Sequence, residues 1–257
     1  MTSKPRALVV VAHPDDETFG LGSTIASLVD AGAEVDVSCA TRGEDGEADG
    51  LPDDADLGAV REAELRAAGA LLGVSRFVLL GYGDSGMTGE LPAGCLAAAP
   101  LQQVVDDVRR VVAEVEPDLV VTLDADHGDG HRDHVQIGRA TIEACRDRPD
   151  LRVYFWVIPR EWMRQWFRET ALADPAGGHA ALDIDVAGLG RTGYEITTDL
   201  DTARFRPVRE RAMAAHASQK SPMDVMPAAM IDLFLSQDSL MRVQPPWPGG
   251  ARETSLL

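Results

Sequence analysis

Short, uninterrupted apolar runs alternate through the first 157 residues with longer stretches whose apolar positions recur every three or four residues. A short continuous run fits a strand buried on both faces, and the longer spacing fits an amphipathic helix. Residues 7–12, 34–40, 77–80, 118–123 and 152–157 read as strands, and 21–31, 58–72, 101–115 and 133–146 as helices. Gly32 and Gly73 close the first two helices, and Pro117 follows the third. Strand followed by helix, repeated, predicts an α/β fold: a Rossmann-like three-layer sandwich with a mostly parallel sheet and right-handed crossovers. Such sheets place their sites beyond the carboxyl ends of the strands. Residues 13–20, 41–52, 81–94 and 124–134 should therefore meet in one crevice.

The second half is less regular. Residues 159–173 hold Trp162, Trp166 and Phe167 and read as a helix or a lid; the near-helical spacing favours core over a sugar-stacking lid. Residues 174–190 read as loop with one short strand, 194–200 as an edge strand, and 207–218 and 227–235 as helices, with Pro207 at a tolerated first-turn position. The Pro- and Gly-rich residues 244–257 are expected to be loose. With no repeat and no low-complexity linker, residues 1–257 read as one domain: a core over 1–158, a substrate-shaping part over 159–243, and a tail over 244–257.

Composition narrows the partners. The 24 Lys and Arg against 42 Asp and Glu give a net charge of −18, which argues against nucleic acid and anionic membrane surfaces. Cys39, Cys95 and Cys145 are odd in number and far apart, which suits small buried side chains in a reducing cytoplasm. No apolar stretch approaches a membrane span, and the run after Lys4 and Arg6 stops at His13, too short for a signal-peptide core. A homo-oligomer is compatible with this composition.

The densest chemistry is His13-Pro14-Asp15-Asp16-Glu17, directly after the first strand. A dinucleotide binder carries a Gly-rich turn there, so that backbone amides can approach phosphate. An imidazole and three carboxylates instead supply ligands and a base, and they repel phosphate. The second cluster, His131-Arg132-Asp133-His134, follows the fourth strand and opens a helix. One His and one Asp from the first turn plus one His from the second make the three-ligand set of a hydrolytic zinc site. A spare carboxylate would take a proton from water, and a spare His would stabilise or protonate what forms. Either cluster alone is as readily a solvated turn or a helix cap. Glu17 reads as structural, Asp133 as a possible first-turn acid, and Asp124 and Asp126 as strand-end caps or orienters of a ligand. His127 reads as a rim residue, and His179 has no assigned role.

The two clusters together resemble those of the LmbE-like (PIG-L) superfamily of zinc-dependent N-deacetylases, which includes N-acetylglucosaminyl-phosphatidylinositol de-N-acetylase and the deacetylases of mycothiol and bacillithiol synthesis. Thr41-Arg42-Gly43-Glu44, Arg61-Glu62-Ala63-Glu64, Asp84-Ser85-Gly86-Met87 and Ala215-His216-Ala217-Ser218-Gln219 extend the resemblance. It implies one zinc ion per chain, with Fe2+ or another divalent ion as the alternative, on His13, Asp16 and His134. It implies Asp15 as general base and His131 as the group that stabilises the tetrahedral intermediate or protonates the amine, with Asp133 orienting or tuning His131. Arg61 and Asp84 match positions that hold sugar hydroxyls, and His216, on an Ala-rich stretch read as helix, matches a His near the site. Mycothiol-type members carry a Tyr where this chain has Asp129, and an ionised Asp repels an oxyanion; this counts against that assignment specifically. With no membrane span, a membrane-bound glycolipid enzyme is not expected.

The expected function is hydrolysis of an N-acetyl or other N-acyl group from an amino sugar or related small molecule. A natural-product deacylase or a mycothiol-conjugate amidase would share the mechanism. Two other classes use similar residues: a non-haem Fe(II) oxygenase, through its two-His-one-carboxylate triad, and a non-catalytic sugar-binding protein. The first gives Asp15 no task, and the second needs neither Asp15 nor His131.

Overall fold

The structure, a computed structural model, describes residues 4–173, 188–224 and 226–257. At its centre lies β1 (Arg6–Val11), in which Ala7, Leu8, Val9, Val10 and Val11 are wholly buried. It is flanked by β2 (Glu34–Cys39) and β4 (Leu119–Leu123), with β3 (Arg76–Leu79) beyond β2 and β5 (Arg152–Val157) beyond β4. These five strands are parallel. Two more, β6 (Thr198–Asp201) and β7 (Gln237–Gln244), complete the order β3-β2-β1-β4-β5-β7-β6, with β7 antiparallel to both neighbours. The chain leaves β1 towards β2 on one side and returns later to place β4 on the other. That reversal opens a crevice at the carboxyl ends of β1 and β4.

Helices α1 (Asp16–Phe19), α2 (Gly22–Asp30), α3 (Leu57–Leu72), α4 (Leu101–Val115) and α5 (Arg132–Cys145) connect and cover the parallel strands. In α4, Val104, Val105, Val108, Val111, Val112 and Val115 form one buried stripe. Valine is a poor helix former, so burial rather than propensity stabilises this element. Helix α3 begins at Asp56, whose side chain accepts from the Ala59 amide at 3.0 Å, and ends at Gly73 with φ 86°. Gly138 sets the height of α5: a Cβ there would lie 2.6 Å from the Leu123 carbonyl. This close approach brings the start of α5 over the end of β4.

Beyond the parallel core come α6 (Arg160–Ala173), α7 (Arg206–Met213) and α8 (Ala228–Ser236). Trp162, Trp166 and Phe167 are half-buried on α6 rather than central to the core. The edge strand is Thr198–Asp201, four residues at the end of the predicted 194–200 and just past it. Helix α7 stops at Met213, not 218, so His216 lies in the turn beyond it. The short strand expected within 174–190, and His179, fall on residues outside the described ones except at 188–190, which form a bend.

One element went unseen in the sequence, and one further expectation is corrected. The sequence pattern did not reveal β7, because its buried positions include Asp238 and Ser239. Their partners are remote: Thr24 and Arg209 for Asp238, and Asp199 for Ser239. The tail is not loose. Glu253 exchanges main-chain hydrogen bonds with Thr197 and Asp199, its side chain takes Thr198 and Arg242, and Leu256 is buried.

Arg209 ties these parts together. Fully buried, its guanidinium donates to the carbonyls of Thr18, Phe19, Gly20 and Phe234 and pairs with Asp238 at 3.2 Å. Arg209→Ala would leave the Asp238 carboxylate buried without its counter-charge. The expected loss of unfolding free energy is about 3–5 kcal/mol, measurable by urea denaturation; a loss below about 1 kcal/mol, the scale of an exposed ion pair, would contradict this role.

Candidate metal centre and active site

Immediately after β1 the chain turns sharply. Asp15 adopts φ 113°, a conformation costly for any residue with a side chain. Several bonds hold it there. Its carbonyl accepts from the Thr18 and Phe19 amides at 2.9 and 2.8 Å, and its amide donates to Glu17 Oε2 at 2.9 Å. Arg61 donates to the Pro14 carbonyl at 2.5 Å, to Asp15 Oδ2 at 3.0 Å and to the Gly43 carbonyl at 2.8 Å. Only glycine fits at 43, because a Cβ would lie 2.3 Å from Arg61 Nη1. Asp16 Oδ2 closes the turn by accepting from the Ala12 and His13 amides at 3.1 and 2.8 Å.

The second cluster reaches the same place from the end of β4. His13 Nδ1 faces His134 Nε2 at 3.3 Å; Asp16 Oδ1 lies 3.3 Å from His134 Nε2, and Asp16 Oδ2 lies 3.7 Å from His13 Nδ1. Ligand bonds of about 2.0–2.1 Å in a tetrahedron put ligand atoms about 3.4 Å apart; the His13–His134 and His134–Asp16 Oδ1 separations are close to this, while the 3.7 Å from His13 Nδ1 is to the other Asp16 oxygen. The far nitrogens are engaged by carboxylates. His13 Nε2 meets Asp133 Oδ2 at 3.1 Å, and His134 Nδ1 meets Asp129 Oδ1 at 2.9 Å. Carboxylate-backed imidazoles of this kind are the usual support of a metal ligand. His13, His131 and His134 also offer nitrogens within 4.8 Å of one another, as do His13, Asp84, His131 and Asp133. In the latter group Asp133 is already taken by the Ser85 amide and hydroxyl and by His13, which favours the His13–Asp16–His134 set.

The electrostatics follow from this crowding. Burial opposes a charged His13, yet the bonds to Asp133 and Asp84 and the charge of Asp16 outweigh it and raise its pKa to about 9. Burial likewise opposes charge on His134, and Asp16 and Asp129 more than compensate, raising it well above the usual histidine value. Burial and the adjacent Asp16 charge push Asp15 up to about 7, although Arg61, His216 and His13 pull the other way. Asp16 is driven down despite its burial, chiefly by His134 and His13. Burial and the positive charge of His13 and His134 lower His131.

Asp84 borders the polar crevice beside Asp15, His131 and His134. Three other residues named by the resemblance have partners that the sequence did not reveal. The Asp133 carboxylate bonds His13 and Ser85 and acts on His131 only through its charge, while its main-chain amide donates to His131 Nδ1 at 3.2 Å. Arg61 is 3 % exposed; its Nη atoms hold the turn and Asp15 while the side chain also borders the polar crevice. His216, 1 % exposed, pairs with the fully buried Glu17 at 2.7 Å and is not among the residues that border the polar crevice. Asp124 grips Arg191 through both oxygens at 2.7 Å, and His127 meets the Gly188 carbonyl at 2.7 Å. Sequence reasoning missed the supporting parts played by Asp129 and Ser85, which depend on partners that no local pattern reveals.

The family described as GlcNAc-PI de-N-acetylase (PIG-L) matches residues 8–145, more than half of the chain and both clusters. The chain belongs to this family. A Streptomyces avermitilis protein named 1D-myo-inositol 2-acetamido-2-deoxy-alpha-D-glucopyranoside deacetylase is 38 % identical over 244 residues, covering 83 % of this chain and 82 % of that protein. A Mycolicibacterium smegmatis protein of the same name is 36 % identical over 237 residues, covering 84 % and 80 %. Among solved structures, N,N'-diacetylchitobiose deacetylase from Pyrococcus horikoshii matches with TM-score 0.61 and 22 % identity, covering 93 % of this chain and 84 % of that one. The 4-carboxy-2-hydroxymuconate hydratase GalB from Pseudomonas putida matches with TM-score 0.65 and 17 % identity, covering 96 % and 99 %. At these identities the likeness concerns the fold alone.

Asp129→Ala should free the His134 ring to rotate. Affinity for a divalent ion is expected to fall about 10–100-fold, read by competition with a chromogenic chelator, with the far-UV circular dichroism unchanged. Unaltered affinity would remove Asp129 from the support of the centre.

Proposed function

We propose that this chain is a metal-dependent N-deacetylase that hydrolyses the acetamido group of an amino-sugar conjugate. The observation that carries the reading is the meeting of His13 Nδ1, Asp16 and His134 Nε2 at 3.3–3.7 Å, with Asp15 beside them and engaged by Arg61. The donor set, two imidazole nitrogens and a carboxylate, suits zinc. Held by these three residues, a zinc ion would act as a Lewis acid towards the amide carbonyl and lower the pKa of a bound water to about 7.

The chain's own residues supply the rest. Asp15 borders the polar crevice, and Arg61 fixes one of its oxygens, leaving the carboxylate to take the proton of the attacking water. His131 Nδ1 is filled by the Asp133 amide, so its Nε2 carries the hydrogen that the developing oxyanion or departing nitrogen can use. Asp84, on the same crevice, would accept from a sugar hydroxyl. The strongly acidic composition supports a small-molecule substrate rather than a nucleic acid. No described helix is long and apolar enough to cross a membrane. Three buried, unpaired cysteines support work in the reducing cytoplasm.

The test is amine release from N-acetylglucosamine glycosides by the zinc-loaded protein. Asp15→Asn is expected to lower kcat about 10²–10⁴-fold while the zinc content, read by elemental analysis, stays near one per chain. Chelation should abolish turnover and zinc should restore it. Rates near wild type in Asp15→Asn, or turnover that survives complete metal removal, would contradict the reading.

A further inference from the structure

A second cavity adjoins the proposed metal ligands, and Asp15 is not among the residues that line it. Asp16, Asp129 and His134 stand between the two, since they line both. The cavity towards Asp15 is polar, bordered also by Asp45, Arg61, Asp84 and His131. The other, of about 250 Å³, is walled by Phe19, Trp156, Ile158, Trp166, Met226 and Phe234. Trp156 and Phe234 meet edge to face with ring centroids 6.3 Å apart, a packed wall rather than a loose surface. The remaining acid there, Asp124, is already held by Arg191. An apolar cavity of about 150 Å³ is enough to take up benzene, so this one has room for a chain of several carbons.

An amide has two halves, and a carbonyl placed at the shared residues sends one into each cavity. Hydroxyls forced into the aromatic cavity would lose water without gaining partners. Beside Asp84, Asp45 and His131 they would find them. We propose that the aromatic cavity receives the acyl half of the substrate, so that the preferred leaving acid is an apolar acyl group longer than acetyl. This rests on the hydrolase reading above. The reaction keeps its balance whatever the acyl length: the C–N bond breaks, the water oxygen joins the acyl carbon, and carboxylate and ammonium leave. Helix α6, through Trp166, thereby acquires a role in substrate selection that neither a core nor a sugar-stacking position describes.

The experiment compares kcat/KM for N-acetyl-, N-butyryl-, N-hexanoyl- and N-octanoyl-glucosamine and for the octyl glycoside of N-acetylglucosamine, with zinc-loaded wild type and Ile158→Trp. Wild-type kcat/KM is expected to rise about fourfold per added acyl methylene until the cavity is full. The octanoyl-to-acetyl ratio should drop at least tenfold, on the order of two methylenes' worth, in Ile158→Trp. A flat or falling acyl series, with acetyl still cleaved, would overturn the inference and leave the deacetylase reading standing. A gain for the octyl glycoside in place of the longer acyl groups would overturn it too, by assigning the cavity to an aglycone. Failure to cleave any member, acetyl included, would overturn both.

Discussion

Seven ionisable side chains, His13, His131, His134, Asp15, Asp16, Asp84 and Asp133, share one crevice, and none of them lies on the open surface. Charge removed from water must be matched locally. Each carboxylate accordingly has its partners: Asp16 the two imidazoles and two amides, Asp133 Ser85 and His13, Asp84 the Gly86 amide and His13, Asp15 the Arg61 guanidinium. Two ring nitrogens that face each other at 3.3 Å can share one proton or one cation. With a carboxylate oxygen beside them, a divalent ion satisfies all three at once.

The fold exists in this form because parallel strands aim their carboxyl ends at a common edge. β1 and β4 lie side by side at the point of reversal, so turns 120 residues apart become neighbours. The rest of the molecule braces those turns from behind. Arg209 collects the carbonyls at the end of α1 and links them to β7; Glu17 joins the Asp15 amide to His216; Gly138 lets α5 settle on β4. The strain at Asp15 is tolerable because its carbonyl, amide and carboxylate are all engaged.

The parallel core was legible because its strands are continuous apolar runs and its helices carry simple stripes, as in α4. The metal-ligand candidates were legible for a related reason. An imidazole and adjacent carboxylates directly after a buried strand have few other uses, and the order of strands places the two turns together. What stayed hidden depended on pairing across the chain. β7 is disguised by Asp238 and Ser239, the tail by a docking that runs through main-chain bonds at Thr197 and Asp199, and Asp129 by an imidazole five residues away. Arg61 and His216 were found near the site, but their partners, the turn with Asp15 for the one and Glu17 for the other, were hidden, since sequence shows that a residue is close without showing which atoms it faces.

Two turns gripping a single ion is the claim on which the chemistry stands. Anomalous diffraction from zinc-loaded crystals, recorded on both sides of the zinc absorption edge, addresses it directly. One strong peak is expected per chain, bonded to His13 Nδ1, His134 Nε2 and an Asp16 oxygen at about 2.0–2.2 Å. A peak centred instead among Asp84, His131 and Asp133, or none near His134, would contradict it.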